Sequence, residues 1–261
     1  ELQIFLFTLF LTIYMVTVAG NLGMIALIQA NARLHTPMYF FLSHLSFVDL
    51  CFSSNVTPKM LEIFLSEKKS ISYPACLVQC YLFITLVHVE LYILAVMAFD
   101  RYMAICNPLL YGSRMSKSVC SFLITVPYVY GALTGLMETM WTYNLAFCGP
   151  NEINHLFCET PPVLELVCAD TFLFEIYAFT GTILIVMVPF LLILLSYIRV
   201  LFAILKMPST TGRQKAFSTC ASHLTSVTLF YGTANMTYLQ PKSGYSPETK
   251  KLISLAYTLL T

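Results

Sequence analysis

With 261 residues, 58% of them hydrophobic and 10% charged, and a mean hydropathy of +0.76, the chain carries too little polar surface for a water-soluble fold; ordinary soluble domains are about 25% charged. A formal charge of +1 offers no basic footprint for nucleic acid. The composition points to one all-α domain over residues 1–261, a helical bundle solvated by lipid.

A membrane-crossing helix needs about 20 mostly apolar residues. The first such segment covers residues 2–28. It is too long for the apolar region of a signal peptide and lacks a small-residue cleavage site, so it is expected to serve as its own insertion signal. Asn31-Ala-Arg-Leu-His-Thr-Pro37 forms a short loop into a second segment at 38–65, with Pro37 suited to a first helical turn. The third and fourth segments cover 77–105 and 119–137. The long connection Trp141–Asp170 holds Cys148, Cys158 and Cys168 and is too polar for hydrocarbon. A fifth segment covers 172–205 and a sixth 216–239. A seventh, 246–261, is expected to be partial, because its apolar part Leu252–Leu260 is too short to cross a bilayer. No fixed-period repeat is present, which excludes a solenoid. The expectation is a seven-transmembrane-helix bundle with its seventh helix cut short.

Basic residues set its orientation. Arg33, Arg114, Lys117, Lys206, Arg213 and Lys215 fall on one side, with Arg101 and Arg199 at helix ends; Lys68, Lys69, Lys242, Lys250 and Lys251 fall on the other. That bias is modest. Cys76, Cys148, Cys158 and Cys168 share the second side, as suits an oxidising exterior. The N-terminus is therefore expected outside. Of the nine cysteines, Cys51, Cys80, Cys106, Cys120 and Cys220 read as small apolar helix residues. The other four permit three pairings, among which spacing does not choose. His155-Leu-Phe-Cys158-Glu159 has metal-binding residue types, but two or three ligands in a row do not close a coordination shell.

Ionisable groups inside a membrane are costly and point to function. Asp49 and Glu90 sit at matching depth in adjacent segments and would repel unless a cation or proton lay between them. Asn21 completes a polar cluster. Two readings stand: a sodium or proton site biasing a two-state bundle, or a hydrated polar plug that serves packing. A catalytic carboxylate pair would need a substrate path and water at mid-membrane, so no enzymatic role is expected. Asp100-Arg101-Tyr102 ends the third segment, where a charged pair reaches the interface at little cost.

Several stretches then coincide in order along nearly the whole chain: Gly20-Asn21, Leu34-His-Thr-Pro-Met-Tyr-Phe-Phe-Leu42, Leu45-Ser-Phe-Val-Asp49, Met97-Ala-Phe-Asp-Arg-Tyr-Met-Ala-Ile-Cys106, Ser196-Tyr197, Lys215-Ala-Phe-Ser-Thr-Cys-Ala-Ser-His-Leu224 and Phe230-Tyr-Gly232. On these the chain resembles the vertebrate odorant receptors, terrestrial-type class II, of the rhodopsin-like G-protein-coupled receptor family. Phe99 departs from the usual tyrosine before Asp-Arg-Tyr. The N-terminal glycosylation sequon and the seventh-helix Asn-Pro-x-x-Tyr signature are missing, as a chain cut at both ends would lack them. The sequons at Asn55 and Asn235 fall in helices and are not expected to be glycosylated.

The resemblance implies a multi-pass plasma-membrane receptor in the cilia of olfactory sensory neurons. It would bind small volatile organic odorants and activate the stimulatory heterotrimeric G protein of those cells to raise cyclic AMP. It implies the disulfides Cys76–Cys158 and Cys148–Cys168. Asp100 would hold Arg101 at rest, with Tyr102 beside it and Tyr197 assisting from the fifth segment, and no cofactor is implied beyond a sodium ion at Asp49 and Glu90.

Helical spacing suggests where a ligand would sit. One face of the third segment runs from Cys76 through Cys80, Phe83, Ile84, Val87, His88 and Glu90 toward Arg101. Gly181 and Ile185 on the fifth segment, and Tyr231, Ala234, Asn235 and Tyr238 on the sixth, complete a mostly apolar lining with His88 and Asn235 as polar anchors. His88 reads equally as an interhelical histidine. Rival readings are a rhodopsin-like receptor for another ligand, or a transporter or channel. An amine receptor would need a carboxylate high in the third segment, and Cys80–Val87 has none. Transporters tend to show internal repeats and broken helices, which are not evident here.

Overall fold

The computed structural model describes residues 2–66, 70–148, 152–153, 155–169 and 172–238, apart from the side chains of Leu2, Glu175 and 233–238. Its helices are α1 (Leu2–Ala30), α2 (Pro37–Leu65), α3 (Tyr73–Cys106), α4 (Pro108–Arg114), α5 (Lys117–Tyr143), α6 (Thr160–Leu164), α7 (Phe172–Leu205) and α8 (Thr210–Tyr238), with a 3-10 turn at Ala32–Leu34. No strand occurs among the described residues. The first six predicted segments are α1, α2, α3, α5, α7 and α8. The predicted seventh, 246–261, lies outside the described residues.

Helix ends differ from the apolar runs because capping, not hydropathy, sets them. Ser72 accepts a hydrogen bond from the Ala75 amide and Pro74 occupies the first turn, so α3 starts at Tyr73, before its apolar run. Ser116 accepts in the same way from Val119 and starts α5 at Lys117. At its other end α5 continues past the predicted limit of Met137 to Tyr143, which brings Glu138 into the helix.

Among the described residues, α1, α3, α5 and α7 are long and apolar enough by length and composition to cross a membrane. The sequence expectation gave six segments, and α2 and α8, the other two, are more polar. Their polar groups are nonetheless accommodated. On α2, Ser46, Ser53 and Thr57 are buried within the bundle. On α8, the hydroxyls of Thr219, Ser222, Thr225 and Ser226 each bond to the backbone carbonyl four residues earlier. Such back-bonding satisfies a hydroxyl without water.

The core is built around α3, which packs against α2, α5 and α7 and more lightly against α4 and α8, while α1 lies on α2. Phe83, Val89, Leu91, Ile93, Leu94 and Ala98 of α3 are all buried, so most of the helix is enclosed by its neighbours, while Val78, Leu82 and Phe99 stay exposed on one flank. Helix α5 approaches closely because two of its glycines face α3. A Cβ on Gly131 would lie 2.8 Å from the Thr85 carbonyl oxygen, and one on Gly135 would meet the Thr85 hydroxyl. Gly131, Gly135, Thr139 and Thr142 form the buried stripe of α5, the small-residue packing that lipid-embedded helices favour.

The long connection folds over one end of α3. Cys76 is bonded to Cys158 with Cα atoms 5.4 Å apart, and Cys148 to Cys168 with Cα atoms 5.8 Å apart. Beside the second bridge, the Cys148 amide donates to the Leu166 carbonyl (3.1 Å) and the Cys168 amide to that of Ala146 (3.0 Å). Val163, Cys76 and Cys158 make a small apolar cluster under this lid.

Candidate functional site

Helix α3 carries the disulfide at one end and Asp100-Arg101-Tyr102 at the other, about 38 Å away at 1.5 Å per residue. At the disulfide end the buried amide of Gln79 ties three elements together. Its Nε2 donates to the Asn55 carbonyl on α2 (2.9 Å), its Oε1 accepts from the Cys158 amide (2.8 Å), and Asn55 Nδ2 returns a bond to the Gln79 carbonyl (3.0 Å). Asn55, read in the sequence only as an unusable sequon, is thus a link between helices. In the same loop His155 Nε2 meets Glu159 Oε1 at 2.9 Å. That pairing, with Cys158 in a disulfide, uses the residues that resembled a metal site, and no group of three metal-ligating side chains occurs among the described residues.

At mid-depth, Asp49 and Glu90 lie close enough to sense each other's charge. Asp49 Oδ1 and Glu90 Oε2 are buried with no hydrogen-bond partner among the described residues. Asn21, expected to join them, donates instead to its own helix at the Thr17 carbonyl (3.1 Å).

The predicted ligand-facing stripe of α3 is divided among several neighbours. The Phe83 ring lies 5.2 Å from Phe52 of α2 and 5.5 Å from Phe157 of the long loop. His88 donates through Nδ1 to its own Ile84 carbonyl (2.6 Å) and its ring faces Tyr130 of α5 at 6.2 Å. Cys80 and Ile84 are buried and Val87 partly so. A helix packed against three neighbours has no single inner face, so periodicity alone does not select one. Across the bundle, Tyr231 of α8 is buried, with its ring 5.5 Å from Phe190 of α7 and its hydroxyl unpaired among the described residues. It also senses Tyr92 of α3, a residue the sequence reading passed over. Ile185 packs at the edge of the same core, and a Cβ on Gly181 would meet nothing within 4 Å. The side chains of Asn235 and Tyr238 lie outside the described residues.

At the far end the expected Asp100–Arg101 ion pair is not present: their charged groups lie beyond 4 Å, and Asp100 Oδ1 instead accepts from the Tyr111 phenol of α4 (2.8 Å). Neighbouring residues on one helix point about 100° apart, which explains why adjacency did not become contact. Burial and the Asp100 carboxylate push the Tyr111 phenol well up, so it stays a hydrogen-bond donor at neutral pH. Tyr102 is half-buried and packs at the edge of the core. Tyr197 of α7 shares a 2.7 Å hydrogen bond with His223 Nδ1 of α8, with the rings stacked at 5.6 Å, and His223 senses the Arg101 charge. Tyr111 and His223 were missed as site residues. His223 stands inside a motif that was recognised, whereas nothing local marks Tyr111.

The olfactory receptor family model matches residues 10–258. The chain is 75% identical to human olfactory receptor 5M8 over 99% of its own length and 83% of the relative's. It is 66% identical to human olfactory receptor 10A3 over 100% of the chain and 83% of the relative, and 59% identical to mouse olfactory receptor 5M5 over 100% and 82%. With a membrane-type helical bundle, cysteines joined over one end of α3 and an Asp-Arg-Tyr sequence at the other, the chain belongs to the olfactory receptor family of seven-transmembrane receptors.

Proposed function

We propose that this receptor binds small volatile organic ligands between α3, α7 and α8 and activates a stimulatory, olfactory-type heterotrimeric G protein to raise cyclic AMP. The observation that carries the reading is α3 itself: one central helix, held by a disulfide at one end and ending in Asp100-Arg101 at the other, touches both helices that complete the pocket. Buried Tyr231, flanked by Phe190 and Tyr92, supplies a polar hydroxyl in an otherwise apolar seam, the usual composition of a small-molecule site. A ligand that binds one arrangement of α8 better than another shifts the equilibrium toward it. Pro189 inside α7 and open space at Gly232 provide compliant points for that movement. Outward displacement of the end of α8 that lies near Arg101 of α3 breaks the Tyr197–His223 bond and frees the arginine for the G protein.

The disulfide-bearing end is extracellular in this reading, so the N-terminus is outside and the receptor sits in the ciliary plasma membrane of olfactory neurons. Asp49 and Glu90, whose unpaired buried oxygens suit a monovalent cation or a shared proton, would hold sodium in the resting arrangement. Alanine at both Tyr231 and Asn235 tests the pocket: odorant-evoked cyclic AMP is expected to fall sharply at equal surface expression. An unchanged dose–response curve would mean that the ligand sits elsewhere.

A further inference from the structure

The upper half of α3 has no carboxylate between Cys80 and Val87, yet the fold delivers one there from another helix. Glu138 lies on α5, and its carboxylate makes no hydrogen bond or ion pair among the described residues, while its backbone carbonyl accepts from the Thr142 hydroxyl (2.9 Å). Its charge is felt by Cys80 of α3 and by Tyr177 of α7, so the carboxylate stands at the seam of three helices. The glycine stripe explains the placement. Gly131, Gly135 and Thr139 turn one face of α5 against α3, and Glu138, one residue from Thr139, falls on the flank between α3 and α7.

Aromatic rings surround the same turn. Trp141 stands three residues from Glu138, on the same side of the helix. Its ring lies 4.9 Å from Tyr177 and 5.2 Å from Phe174, both on α7. The Tyr177 phenol reaches Met137 Sδ at 3.7 Å, which sets that ring over the turn carrying Glu138. The other acid near Cys80, Glu159, meets His155 at 2.9 Å, so Glu138 is the acid there whose carboxylate has no side-chain partner among the described residues. A carboxylate with tryptophan and tyrosine rings on the neighbouring turns suits a compact cation, because aromatic rings attract positive charge and the acid neutralises it. An unpaired acid inside a membrane is otherwise costly.

We infer that Glu138, with Trp141 and Tyr177, is a specificity-determining site that selects ligands bearing a protonated primary amine. The inference rests on the odorant-receptor reading and names the ligand class for it. The test uses straight-chain primary amines, alcohols and carboxylic acids of matched length, read by cyclic AMP in cells at matched surface expression. The amine should act at lower concentration than the alcohol of the same length. Glu138→Gln should raise the amine's half-maximal concentration at least tenfold and leave the alcohol's nearly unchanged. Glu138→Asp, which keeps the charge, should recover part of the amine response, and Trp141→Leu should weaken amines more than alcohols. Parallel shifts for amine and alcohol in Glu138→Gln, or acids rivalling amines on the unsubstituted receptor, overturn the inference. A receptor that answers neutral volatiles and never amines overturns it while leaving the odorant reading intact. Silence toward every volatile overturns both.

Discussion

Replacing Gly131 by alanine tests the packing that positions α5, and through it Glu138. The new Cβ would lie 2.8 Å from the Thr85 carbonyl oxygen and 2.8 Å from Val89 Cγ2, short of ordinary contact by more than half an ångström. Val89 can rotate only within a buried core, and a backbone carbonyl cannot rotate away at all. The helices must therefore separate. Overpacking of this kind costs about 1–3 kcal/mol, which corresponds to a fall of about 2–12 °C in unfolding temperature for a domain of this size. Gly135→Ala should behave alike, since its Cβ would meet the Thr85 hydroxyl and lie 3.2 Å from the Thr85 backbone nitrogen. Gly112→Ala on α4, where nothing lies within 4 Å of the added carbon, is the control. The assay is thermal unfolding of the purified receptor in detergent. If Gly131→Ala unfolds with the unsubstituted receptor, the close approach of α5 to α3 is not what holds this seam.

Tyr111→Phe removes the phenol that donates to buried Asp100 and should destabilise the receptor by about 1–3 kcal/mol; an unchanged unfolding temperature would exclude this role. Tyr197→Phe deletes a bond worth about 0.5–1.5 kcal/mol between α7 and α8, so ligand-free cyclic AMP should rise roughly two- to tenfold; no rise, or a fall, contradicts the assigned resting latch. Cys158→Ser opens a loop closed across 82 residues of sequence, and a loss of about 2–5 kcal/mol should empty the cell surface of receptor. Normal surface staining of that variant would show the bridge to be dispensable.

Much of this architecture is legible in the sequence because apolar length is a local property. The spans of α1, α3 and α7 follow from it within a few residues at each end. Helices α2 and α8 were also read from apolar length, although serine and threonine lower the hydropathy of α8 while bonding to its own backbone. The fourth segment was read only to Met137, and that boundary left out Glu138, the residue on which the ligand class now turns. Spacing left the four outer cysteines with three pairings, since it says nothing about which loop ends meet. The Asp100–Tyr111 and Tyr197–His223 bonds join different helices, so only the packed bundle brings them together. Gly131 and Gly135 were readable as glycines, but not as a contact, because the partner surface at Thr85 is set by the tilt of α5 on α3.

The most direct test is a cyclic AMP screen of a volatile panel in cells bearing the receptor, run beside an Arg101→Ala variant at equal surface expression. The account predicts a dose-dependent response to at least one volatile and its loss in the variant. A response to a peptide with none to any volatile, or signalling that survives without Arg101, would contradict it.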